Sequence, residues 1–154
     1  MFAKTVLRVA ITAGASVAAG PPSIEVTTTG QPAGVLATIE AHFHTEADEI
    51  RVYGTAYTWN DNQRGERVLR LERVDDSHYR VPDGGTARGP RVLVLGVEQG
   101  VAGEHGAAEA LVRIDRSGTV RVDIAKTRPI LGNPMPRRVN DREIENALLS
   151  MRAD

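Results

Sequence analysis

Val35-Leu36-Ala37-Thr38-Ile39-Glu40-Ala41-His42-Phe43-His44 carries the reading on which the fold turns. Val35, Ala37, Ile39, Ala41 and Phe43 fall on one face; Leu36, Thr38, Glu40, His42 and His44 fall on the other. A two-residue period with one apolar face marks a strand that is half buried and half wet. Ile50 to Trp59 repeats the style, but Tyr53, Tyr57 and Trp59 sit opposite Ile50, Val52 and Ala56, so both of its faces call for cover. Arg91-Val-Leu-Val-Leu-Gly-Val97 is the most apolar run and belongs at the centre of a sheet.

Working outward, Ile24 to Thr29 is rich in β-branched residues and stops at Gly30-Gln-Pro-Ala-Gly34. Asn60 to Gly65 reads as a hairpin loop, and Glu66 to Val74 as one strand, with His78 to Val81 as another. Ala108 to Ile114 and Thr119 to Ile124 flank Asp115-Arg-Ser-Gly118 as a hairpin. About seven or eight short strands without helical crossovers predict a mainly β chain, a single antiparallel immunoglobulin-like β-sandwich. The tail differs. Arg128 to Pro136 is proline-rich and extended. Asn140 followed by Glu143 forms a capping box, with Val139 and Ile144 placed as a hydrophobic staple. Ile144, Ala147, Leu148 and Met151 share one face of the resulting short helix, which either packs on its own sandwich or meets a second protomer as a homo-oligomer contact.

Residues 1–19 place Lys4 and Arg8 before an uncharged run from Val9 to Ala19, ahead of Gly20-Pro-Pro22. Positive, apolar, small and helix-breaking segments in that order are the layout of a signal peptide, and the run is too short to span a membrane. The alternative is a first strand, Thr5 to Ile11, of a cytoplasmic protein. The predicted organisation is therefore a leader over 1–19, a sandwich over 20–127, a tether over 128–139 and a helix over 140–152. The expected location is periplasmic or secreted, with no membrane span in the mature chain.

The chain has 154 residues, 19 Lys+Arg against 20 Asp+Glu, and no cysteine. A formal charge of −1 and 4% aromatic residues speak against a nucleic-acid binder. The absence of cysteine removes disulfides, thiolate metal sites and cysteine nucleophiles. The glycines match neither dinucleotide nor P-loop patterns, and no serine lies in a G-x-S-x-G or S-x-x-K setting. Asp75-Asp76 reads as a turn, and Arg64, Arg67, Arg70 and Arg73 as a solvated, salt-bridged series.

His42 and His44 are the sharpest chemical feature. Two imidazoles at i and i+2 on a strand point the same way and can chelate copper or zinc if a third ligand arrives. Glu40 shares their face, and His78, Glu104 and His105 are further candidates, His105 being the one taken into the predicted ligand set with His42 and His44. Glu104-His105 is also a carboxylate beside an imidazole, a pairing capable of acid–base work at the mouth of a small β-barrel enzyme or ligand carrier.

Val52-Tyr-Gly54 through Leu69-Arg-Leu71, then His78-Tyr79-Arg-Val81 and Gly89-Pro-Arg-Val-Leu93, resemble the strand series of exported bacterial YtkA/FixH-type sandwiches and, more loosely, transthyretin-like modules. The resemblance spans roughly Gly34 to Ile114. It departs where Arg91 stands in place of a tryptophan and where the glycine before Tyr79 is missing. It implies a non-enzymatic, immunoglobulin-like domain of the cell envelope, accessory to metal handling, and it carries no site residue with it. Together these features predict a binding or accessory module for a protein or small ligand.

Overall fold

The computed structural model describes residues 20–44, 49–60, 63–83, 89–103, 106–129 and 132–151. The expected leader, Glu104 and His105 lie outside the described residues. Among the described residues nine strands and one α-helix follow in order: β1 (Ser23–Thr27), β2 (Val35–His42), β3 (Ile50–Asn60), β4 (Gln63–Val68), β5 (Glu72–Arg73), β6 (His78–Pro82), β7 (Arg91–Gln99), β8 (Ala107–Ile114), β9 (Val120–Ile124) and α1 (Asp141–Ser150). They form two antiparallel sheets, ordered β1-β2-β6-β5 and β4-β3-β7-β8-β9. This is the immunoglobulin-like strand order, with β9 added as a hairpin beyond the usual last strand. Among the described residues no helix is long and apolar enough to cross a membrane.

The core between the sheets is set by alternation. Ala37, Ile39 and Ala41 of β2, Val81 of β6, and Leu93, Leu95 and Val97 of β7 meet there with Ala108, Ala110 and Val112 of β8. Leu36 departs from its expected outward position. The β2–β6 register shifts between Val35 and Ala37, and that irregularity lets Leu36 pack against the core. The single strand expected over 66–74 is two strands in different sheets. After β4, the Leu69 N–H donates to the Gly54 carbonyl at 2.8 Å, and the chain then crosses to the other sheet while Leu69 and Leu71 pack against the core. Two leucines in a crossing give the same local pattern as two leucines in a strand.

β7 lies between β3 and β8 and has no wet face. Its even-numbered apolar residues Val92 and Val94 point away from the sandwich and, with Leu111, Tyr57 and Trp59, receive Ile144, Ala147, Leu148 and Met151. The helix thus spends its apolar face on its own sheet and makes a third layer. Its start is the capping box expected of Asn140: the Glu143 N–H donates to Asn140 Oδ1 at 3.0 Å and the Asn140 N–H to Glu143 Oε2 at 2.9 Å. A fork of Arg137 N–H groups at 2.6 and 2.8 Å, with the Asn140 N–H, holds the Glu143 carboxyl down at about 2.

The approach to the helix is pinned to the sheet. The Thr127 N–H donates to the Met135 carbonyl at 2.8 Å, and the Arg137 N–H to the Ala125 carbonyl at 3.1 Å, so the end of the proline-rich segment runs back along the chain leaving β9. Two buried carboxylates then anchor it. Glu98 accepts from Arg51 Nη1 at 3.1 Å and Arg138 Nη2 at 2.7 Å. Glu109 accepts from the Tyr53 hydroxyl and, at 2.6 Å, from the Val139 N–H. Tyr53 reaches Glu109 by lying across Gly96, the residue between them in register; a Cβ on Gly96 would collide with the ring. Burial and the Glu109 carboxylate push the Tyr53 hydroxyl pKa up, so it stays a donor.

Leu148→Ala opens a cavity in the outer core and is expected to cost about 2–4 kcal/mol in urea unfolding, with Trp59 fluorescence shifting as the helix loosens. Asn140→Ala loses the cap and is expected to cost about 1 kcal/mol in the same measurement.

Candidate metal centre

The outer face of the four-stranded sheet is wet, and its polar residues are brought together by register. On β1, Ile24 and Val26 point to the core, which turns Ser23, Glu25 and Thr27 outward. Glu25 stands directly opposite Glu40 of β2, and Glu40 stands directly opposite His78 of β6. His42 is two residues further along the same face of β2. One acidic side chain therefore sits in the middle strand with a second acid on one side and an imidazole on the other.

The distances follow from that placement. His42 Nε2 is 3.5 Å from Glu40 Oε1, and His78 Nε2 is 3.8 Å from Glu40 Oε2. One ligand atom from each of Glu25, Glu40 and His42 lies within 4.8 Å of the others. Two carboxylates directly opposite each other repel, which a bound cation would relieve.

His78 is held from behind. The turn Asp75-Asp76-Ser77 is tied by Asp75 Oδ1, which accepts from the Ser77 N–H at 2.9 Å and the His78 N–H at 2.8 Å. The same carboxylate lies 2.8 and 2.9 Å from His78 Nδ1 through its two oxygens. Asp76 turns away to Arg73 Nη2 at 2.6 Å, so the adjacent acids do not converge. The Ser77 N–H, followed by the His78 ring and N–H, holds the Asp75 carboxyl down at about 2. Asp75 first, and then Glu40, push the His78 pKa up. With Nδ1–H given to Asp75, a neutral His78 presents its Nε2 lone pair toward Glu40. A carboxylate behind an imidazole is the arrangement that orients a metal-bound histidine.

The expected ligand set His42, His44 and His105 is only partly the set assembled. His42 belongs to the group, and His105 lies outside the described residues. His44 stands apart from it. β2 ends at His42, and the chain then turns so that the His44 N–H donates to Oε1 of buried Gln99 at 2.7 Å, while the same side chain donates to the Gly20 carbonyl at 3.2 Å. The His44 ring lies beside Gly20, where a Cβ would come within 3.2 Å of it. The two-residue spacing places imidazoles side by side only while the strand continues. Glu40 and His78, weighed as further ligands, do come together. Glu25 was not foreseen, because cross-strand register has no signature in the sequence of either strand alone.

Comparison of the chain with protein-family models, with curated proteins and with solved structures found no match.

The Asp75–His78 pair gives a pH signature. The raised histidine contributes stability that is complete below its unfolded value and is lost as pH rises through its folded value. The lowered carboxylate contributes above its unfolded value and is lost as pH falls toward about 2. Nuclear magnetic resonance titration should therefore show His78 titrating above an ordinary histidine, and Asp75→Asn should bring it down. An unmoved His78 in that variant would remove Asp75 as the cause.

Proposed function

We propose that the protein is an exported, non-enzymatic accessory module that binds one divalent transition-metal ion, zinc or copper(II), on the open face of its four-stranded sheet. The observation that carries this reading is the register of β1, β2 and β6, which flanks Glu40 with Glu25 and His78 and sets His42 beside it. The imidazole of His42 with the carboxylates of Glu25 and Glu40, and the His78 imidazole on the far side of Glu40, suit zinc or copper(II) better than the oxygen-seeking calcium or magnesium. Asp75 supplies the outer hydrogen bond that keeps His78 oriented. The exported setting rests on the layout of residues 1–19. Metal competes with the proton on His78, so affinity rises with pH through the histidine range.

Calorimetric titration of the intact chain with Zn²⁺ and Cu²⁺ at pH 7.5 tests the reading. One site per chain is expected, with His42→Ala and His78→Ala each abolishing tight binding and Asp75→Asn weakening it by about 10–100-fold. His44→Ala should leave the titration unchanged. Heats that are the same in His42→Ala, His78→Ala and the parent chain would overturn it.

A further inference from the structure

We propose that the free edge of β9 pairs with β9 of a second copy of this chain, joining two five-stranded sheets about a two-fold axis. β9 pairs with β8 on one side, and among the described residues no strand lies on the other. The ladder decides which backbone groups stay open. The Ala125 N–H donates to the Glu109 carbonyl at 2.8 Å and the Asp115 N–H to the Thr119 carbonyl at 3.1 Å. Antiparallel pairing alternates, so Arg121 and Asp123, in step with these, turn their N–H and C=O groups to β8. Val120, Val122 and Ile124 turn theirs to the open edge. The approach to the helix does not cover them. It enters on the β8 side, where the Arg137 N–H donates to the Ala125 carbonyl and the Glu109 N–H to the Arg137 carbonyl, at 3.1 and 3.2 Å.

The edge is self-complementary in one register. An antiparallel copy with Val122 opposite Val122 sets Val120 opposite Ile124, so all three open residues of each edge exchange hydrogen bonds. The same register sets Arg121 of each copy opposite Asp123 of the other, once on either side of the axis. A shift by two positions keeps open residues facing each other but leaves one of them out. It also centres the pairing on Arg121 opposite Arg121 in one direction, or on Asp123 opposite Asp123 in the other, and like charges there repel. Both side chains are exposed on the outer face. Within its own chain Arg121 is poorly matched: it stands opposite Arg113, makes no ion pair among the described residues, and acts on the Asp115 carboxylate only from a distance. Asp123 accepts from Arg113 Nη2 on Oδ2 at 2.5 Å, which leaves Oδ1 for a second donor. On the inner face Val120, Val122 and Ile124 pack at the margin of the core and are only half-buried, so pairing lays each of them against an aliphatic neighbour. The other edges lack this match. β5 is two residues long, β4 sets Arg67 opposite the inward-facing Ala56, and β1 has Glu25 at its midpoint, which a symmetric copy would set against itself.

Sedimentation of the intact chain over a range of concentrations, in metal-free buffer containing a chelator, should show a monomer–dimer equilibrium. Amide hydrogen exchange in the same samples should show Val120, Val122 and Ile124 gaining protection as concentration rises, with Arg121 and Asp123 protected throughout. Arg121→Glu sets acid against acid at both flanking pairs and should raise the dissociation constant about tenfold. The melting temperature of its monomer should not fall, because the repulsion between Arg113 and Arg121 is gone. Adding Asp123→Arg to that variant should restore the dimer. A chain that stays monomeric up to about 1 mM, a dimer in which the three amides exchange as freely as in the monomer, or a dissociation constant unmoved by Arg121→Glu would each overturn the proposal. A folded double variant that dimerises no more tightly than Arg121→Glu would do so too.

Discussion

β7 has to be covered twice. A strand with Leu93, Leu95 and Val97 on one face and Val92 and Val94 on the other cannot lie at the surface of a two-layer sandwich. The five-stranded sheet therefore needs the four-stranded sheet on one side and α1 on the other, and most of the molecule follows from supplying both lids. Ile50 to Asn60 carries small and aliphatic residues inward and Tyr53, Tyr57 and Trp59 outward for the same reason: as the neighbour of β7 it shares both interiors. The helix adds little by its own propensity at ten residues, and it persists because its apolar stripe has a prepared surface to lie on.

Apolar contact alone would let that helix slide. Glu98 and Glu109 fix where the chain lands before it starts. Each is a buried carboxylate whose removal from water is offset only while its donors stay in place: Arg51 and Arg138 for one, Tyr53 and the Val139 N–H for the other. Moving the 137–139 segment by one residue would break several of these at once and leave desolvated charge behind. The same face shows why Gly96 has no side chain: the Tyr53 ring occupies that space in order to reach Glu109.

Much of this architecture is legible in residue order because it rests on local periodicity. The two-residue alternation around Ile39, the unbroken apolar run of β7 and the Asn140–Glu143 box each state their own outcome. What is not legible depends on partners. Nothing local to Leu69-Arg70-Leu71 distinguishes a strand from a crossing between sheets. Leu36 turns inward because of a register shift shared with β6, which the β2 sequence does not contain. The outward group is half readable in the same sense: Glu40 and His42 share a face by parity, whereas Glu25 and His78 join them only through pairing with β1 and β6. His44 leaves the group because a buried glutamine 55 positions away takes its N–H and ends the ladder.

The placement of α1 after every strand of the sheet it covers has a consequence for the order in which the chain is made. β3, β7 and β8 can pair, and the inter-sheet core can close, before Ile144 or Leu148 has been synthesised. During that interval Val92, Val94, Leu111 and the outward aromatics form an apolar surface with no cover, the kind of surface on which nascent chains associate wrongly. Glu98, Glu109 and Arg113 lie among or beside those residues in register, so the waiting face carries charge as well as apolar area. Glu98 and Glu109, which later dock the helix, thus also keep an unfinished sheet wetted.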